Sequence, residues 1–168
     1  ANRFVLERLD MLRSRVRSAE DPVFAGLQFS ILGNYLDFSA LQDQISFEKL
    51  EEMMASALEM ELDTVCYREF CRDLAAGKRL LYITDNAGEI GFDRIFAEVL
   101  AEKYPHLEIT FCVRGKIAQN DATREDAAEV GIPFSGYQVL DGTTVHKAYG
   151  MLAHCDFVVL CGGHVPTQ

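Results

Sequence analysis

From Lys78 onward the chain alternates short apolar runs, at 79–83, 108–113, 137–140 and 157–161, with helix-like stretches at 90–104, 123–130 and 145–154. No other feature of the sequence restricts the fold as strongly. The order is β-α-β-α-β-α-β, and strands separated by helices cannot close as hairpins. They are expected to form a parallel sheet with right-handed crossovers and helices on both faces. In such an open α/β sheet the ligand site lies outside the carboxyl ends of the strands.

Residues 1–76 follow a different pattern. Val5, Leu9, Leu12 and Val16 recur at helical spacing, Asp21-Pro22 is a helix start, and Ser46 opens an acidic helix with Leu50, Met53, Met54 and Leu58 on its apolar side. Arg3, Arg8, Arg13, Arg15 and Arg17 crowd the first stretch, but Glu7 and Asp10 interrupt them, so it is read as a plain helix and not a transit peptide. The expected organisation is a helical region over 1–76 and an α/β domain over 77–168, divided near Ala76-Gly77.

Composition narrows the function. With 168 residues, 49% of them apolar and 25% charged, the chain can bury a real core and is neither disordered nor of low complexity. A net charge of -10 argues against a phosphate-backbone binder, so no nucleic-acid partner is expected. No apolar run approaches the ~20 residues that span a bilayer, so no membrane partner is expected either. The five cysteines (66, 71, 112, 155 and 161) are odd in number and lack a C-x-x-C pair. They are read as buried thiols in a reducing, cytoplasmic setting.

Two loops lie at the expected site. The first, Thr84-Asp85-Asn86-Ala87-Gly88-Glu89, follows the first strand and opens a helix. Oxygen ligands beside a helix N-terminus suit a hard divalent cation that in turn holds a phosphate. Asp and Asn at such a place also commonly cap the helix, and the loop alone leaves both readings open. The second loop carries Arg114, Lys116, Asn120 and Asp121, followed by Thr123 and Asp126, which can cap the next helix and so leave Asp121 for another role. If the first two strands pair, their ~4.8 Å spacing lets both loops reach one ion. Asp85, Asn86 and Asp121 would then hold the cation, and Arg114 and Lys116 would face an anionic substrate.

Other fingerprints are missing. There is no G-x-x-x-x-G-K-[ST], G-x-G-x-x-G or G-x-S-x-G, and His106, His146, His154 and His164 are scattered without zinc-ligand spacing.

The wording of the loops is specific. Asp85-Asn86-Ala87-Gly88-Glu89-Ile90 with Phe92-Asp93, then Val113-Arg114-Gly115-Lys116 with Asn120-Asp121-Ala122-Thr123 and Glu125-Asp126-Ala127, preceded by Gly33-Asn34-Tyr35-Leu36-Asp37-Phe38, resembles the metal-dependent damage-control phosphatases, formerly domain-of-unknown-function family eighty-nine. The resemblance implies a Rossmann-like three-layer α/β/α domain preceded by an all-helical region. It implies a divalent metal, Mg, Mn, Co or Ni, on Asp85, Asn86 and Asp121. It also implies hydrolysis of phosphate monoesters of small metabolites such as sugar phosphates. Catalysis then falls to Asp85, Asn86, Asp121 and Arg114, with phosphorus attacked by a metal-bound water or by Asp85. Gly88, Glu89, Lys116, Asn120, Asn34 and Asp37 are the expected substrate-binding residues, and the partner is a small phosphorylated metabolite.

The chain departs from the family pattern at both ends, where it is expected to be shortened. At the position of an expected substrate-binding lysine it reads Cys161, followed by Gly162-Gly163-His164. The alternatives are a catalytically impaired metal- or phosphate-binding homologue, a nucleotide-binding Rossmann-like module, and a carboxyl methyltransferase.

Overall fold

The structure, a computed structural model, describes residues 1–36, 45–114 and 119–132 in full and the backbone of 137–142 and 157–160. The expected helix at 145–154, together with Asp37, Lys116 and Cys161, lies outside the described residues.

Four strands form one parallel sheet: β1 (Arg79–Ile83), β2 (Glu108–Arg114), β3 (Tyr137–Gly142) and β4 (Phe157–Leu160). Their order is β3-β2-β1-β4. Ile83 aligns with Cys112 on one side and Leu160 on the other. Leu80, Leu81 and Tyr82 are all fully buried, so the central strand reads as a continuous apolar run, as a parallel strand covered on both faces must. The chain moves outward from β1 to β2 and β3, then crosses back to β4 on the other side of β1. The strand order therefore reverses at β1, the switch point at which α/β sheets open a ligand crevice.

Five helices precede the sheet: α1 (Asn2–Leu6), α2 (Leu9–Arg17), α3 (Pro22–Tyr35), α4 (Phe47–Leu58) and α5 (Thr64–Ala76). Asp21, Ser46 and Asp63 supply their side-chain oxygens to the first free N–H groups of α3, α4 and α5. The plain helix expected over the first 17 residues is broken at Glu7-Arg8. Arg8 departs from helical geometry at φ -116°, ψ 3°, its guanidinium bonds back to the Phe4 carbonyl at 2.9 Å, and it stacks on the Phe4 ring. This local closure ends α1 and redirects the chain.

α6 (Glu89–Lys103) follows β1, and α7 (Arg124–Glu129) follows β2. α6 is buried on nearly every side. From Glu89 to Leu100 all of its residues except Arg94 are buried, because helices cover the side that water would otherwise wet. α3 runs antiparallel to α6, with Gly33 against Phe92, Ser30 against Asp93, and Gly26 against Phe96 and Val99. α1 also lies close: a Cβ built on Gly91 would fall 2.6 Å from Val5 Cγ1. Arg13 of α2 grips Glu98 of α6 with Nε and Nη2 at 2.7 and 2.9 Å. The helical region and the sheet thus share one apolar core.

The expectation of buried thiols is corrected in part. Cys112 is buried within β2, Cys71 is partly covered, and Cys66 is exposed in the first turn of α5. Among the described residues, no helix is long and apolar enough to cross a membrane.

Candidate active site at the carboxyl end of the sheet

The chain leaves β1 through Thr84, whose N–H and hydroxyl both donate to the Cys112 carbonyl at 3.1 Å. Beyond β2, the segment 119–123 folds back onto this first loop. Asn86 and Asp121 form an isolated antiparallel bridge. The Ala122 N–H donates to the Asp85 carbonyl at 2.6 Å, and the Ala87 N–H to the Asn120 carbonyl at 2.8 Å. Asp85, Asn86, Asn120 and Asp121 are brought together in this way. Pairing of β1 with β2 starts the convergence, and these loop-to-loop bonds complete it.

The capping alternative for the first loop is not taken up. Gly88 is the N-cap of α6, at φ 87° and ψ -56°, with no side-chain cap bond. Only a residue without Cβ adopts this conformation cheaply. Thr123 and Asp126 form the reciprocal capping box expected at α7. The Asp85, Asn86 and Asp121 side chains are therefore not consumed as helix caps.

The donor chemistry fits a hard cation. The Asn86 amide nitrogen donates to Asp85 Oδ2 at 2.9 Å and to Glu89 Oε2 at 3.0 Å, which leaves its oxygen as the atom to offer a metal. Two carboxylates and an amide oxygen make an all-oxygen set suited to Mg²⁺ or Mn²⁺, which usually keep further positions for water and phosphate. No cluster of three or more His, Cys, Asp or Glu side chains able to hold a metal occurs among the described residues. A site built from two carboxylates and an amide does not form such a cluster. Arg114 Nε donates to Asp121 Oδ2 at 2.6 Å, and its guanidinium is 54% exposed at the rim.

A buried acidic layer lies behind the loop. Glu89, one of the expected substrate-binding residues, is 1% exposed. Burial, then the nearby charge of Asp93, pushes its carboxyl up to about 8. Glu89 Oε1 has no hydrogen-bond partner among the described residues. Asp93 is fully buried, and its Oδ1 accepts from the Ser30 hydroxyl at 2.7 Å and the Tyr82 hydroxyl at 2.9 Å. Sequence reasoning gave Ser30 and Tyr82 no role; the available signal was an acid, Asp93, one turn after Glu89 on an apolar helix.

The remaining expected residues divide. Gly88 is buried, and its N–H donates to Asn2 Oδ1 at 2.7 Å. Asn120 is exposed beside the paired segments, and Asn34 is exposed at the end of α3 that adjoins the start of α6. Asp37 and Lys116 lie outside the described residues.

Comparison with known proteins gives the family and the fold. The profile of the damage-control phosphatase ARMT1-like domain matches residues 1–140. An uncharacterised protein of Methanocaldococcus jannaschii is 40% identical over 133 residues, covering 76% of this chain and 41% of that protein. A damage-control phosphatase of Archaeoglobus fulgidus is 30% identical over 127 residues, covering 76% and 43%. The crystal structure of a DUF89 family protein from Pyrococcus horikoshii matches in fold with a TM-score of 0.72 at 24% identity, covering 92% of this chain and 57% of that one. The chain spans less than half the length of these two curated relatives. Loop wording, loop pairing and profile match converge on one assignment: the chain belongs to the damage-control phosphatase ARMT1-like family.

Proposed function

We propose that this chain is a metal-dependent phosphatase, acting in the cytoplasm on phosphate monoesters of small metabolites such as sugar phosphates or their damaged forms. The observation that carries the reading is the pairing of the Asp85-Asn86 loop with the Asn120-Asp121 segment at the strand-order switch. The proposed scaffold is a Rossmann-like three-layer domain over 77–168, with the helical region 1–76 packed beside it.

Asp85, Asn86 and Asp121 would hold a divalent ion, Mg, Mn, Co or Ni, which when bound supplies positive charge to phosphate oxygens. The protein's own groups do the rest. Asn86 keeps its oxygen forward because its nitrogen is held by Asp85 and Glu89. Arg114 is tethered to Asp121 yet open to solvent, so it can pair with a phosphate oxygen while keeping Asp121 oriented. The positive end of α6 points at the same place and favours an anion. Phosphoryl transfer needs mainly alignment and charge balance, which these groups provide. Asn120, Asn34 and, outside the described residues, Lys116 and Asp37 are proposed to contact the rest of the substrate.

The test is phosphate release from a panel of sugar phosphates by chelated protein, before and after addition of Mg²⁺, Mn²⁺, Co²⁺ or Ni²⁺. Turnover is expected only with metal, and Asp121→Ala is expected to abolish both metal binding and turnover. Tight substrate binding without phosphate release would instead support a binding-only homologue.

A further inference from the structure

Asn2 occupies an unusual position for an amide. It is 5% exposed in the first turn of α1, yet three hydrogen bonds tie it to distant parts of the chain. Its Oδ1 accepts from the Gly88 N–H at 2.7 Å, at the turn that follows Asp85-Asn86. Its Nδ2 donates to Asp126 Oδ1 at 2.8 Å and to Glu129 Oε2 at 2.6 Å, both on α7. Asp126 Oδ2 in turn accepts from the Thr123 N–H at 2.8 Å and hydroxyl at 2.7 Å, two residues beyond Asp121. One side chain therefore holds the first loop directly and α7 directly, and through Asp126 it reaches Thr123, where the second loop ends. Gly88 adopts a backbone conformation that costs other residues free energy, and its N–H is the donor that Asn2 engages.

We infer that Asn2 is a positioning residue, a clamp that fixes the Asp85-Asn86 loop against the Asn120-Asp121 segment and so presets the spacing of the cation ligands. This rests on the metal-site reading above. The clamp makes α1 part of the site's machinery although none of its residues belongs to the candidate ligand set. A packing role alone would spread its effect over the shared core. A clamp concentrates it on the bonds between the two loops, Ala87 N–H to Asn120 and Ala122 N–H to Asp85.

The experiment compares wild type, Asn2→Ala and Asn2→Asp by amide hydrogen exchange without metal, and by calorimetric titration with Mn²⁺ alone. In Asn2→Ala the Gly88, Ala87 and Ala122 amides should exchange about tenfold faster while the Phe96 and Val99 amides of α6 are unchanged, and Mn²⁺ should bind about tenfold more weakly. Asn2→Asp retains the acceptor for Gly88 but loses the donor and faces two acids. It should keep Gly88 protected while Ala122 loosens. Unchanged Ala87 and Ala122 exchange, equal acceleration at Phe96 and Val99, or unaltered Mn²⁺ affinity in Asn2→Ala would overturn the clamp. A wild-type chain that takes no Mn²⁺, or an Asp121→Ala variant that binds it equally, would overturn the metal reading and with it any role of the clamp for a cation.

Discussion

The residues of the site divide by how far each is committed to its neighbours. Arg114 is bonded to Asp121 but half exposed, so its removal should cost function more than stability. Arg114→Ala is expected to lower turnover roughly ten- to a hundredfold, the effect of one charged hydrogen bond of about 1.5–3 kcal/mol, with little change in thermal midpoint. Steady-state kinetics beside a melting curve will check this. Gly88 is the opposite case. At φ 87° any Cβ is strained, so Gly88→Ala should destabilise by about 1–3 kcal/mol in urea titration. The chemical character of Asp85, Asn86 and Asp121 was legible from residue type and loop position. The burial of Glu89 was not, because it depends on helices far away in the chain covering the start of α6.

Among the elements, α6 decides most. It carries the positive end toward the site, lies against the sheet through Phe96 and Tyr82, and is covered by α1, α2 and α3. Glu98 is its main polar tie. Burial alone would push the Glu98 carboxyl up, but bonds from Arg13 and Arg94 hold it below the ordinary range. A depressed carboxyl stabilises the fold above its unfolded value, near 4.3, and that contribution is lost as pH falls through the lower folded value. Glu98→Gln should therefore cost about 1–3 kcal/mol at pH 7 and progressively less toward pH 3, a convergence that denaturation at the two pH values will reveal. The strand positions and the starts of α3, α4 and α7 were readable because apolar period and capping residues are local signals. The break at Arg8 was missed because it depends on a side chain bonding back to the Phe4 carbonyl.

On the scale of the whole molecule, the helical region and the sheet are joined by a common core, and one face of α6 belongs to each. A fragment of residues 77–168 would expose Phe92, Phe96 and Val99, each losing about 1.5–3 kcal/mol of burial. It is expected to lack a cooperative thermal transition and to bind a hydrophobic dye, whereas the full chain should unfold in one step. The parallel α/β pattern, the loops that follow the first two strands and the oxygen-rich residues in them are legible along the chain, since periodicity and turn chemistry act between near neighbours. The order β3-β2-β1-β4, the bridge between Asn86 and Asp121, and the bonds that tie Asn2 to Gly88 and to α7 arise only in the folded chain. Each of these joins residues far apart in the chain, and which distant surfaces meet is set by the packing of the whole core and not by any local stretch.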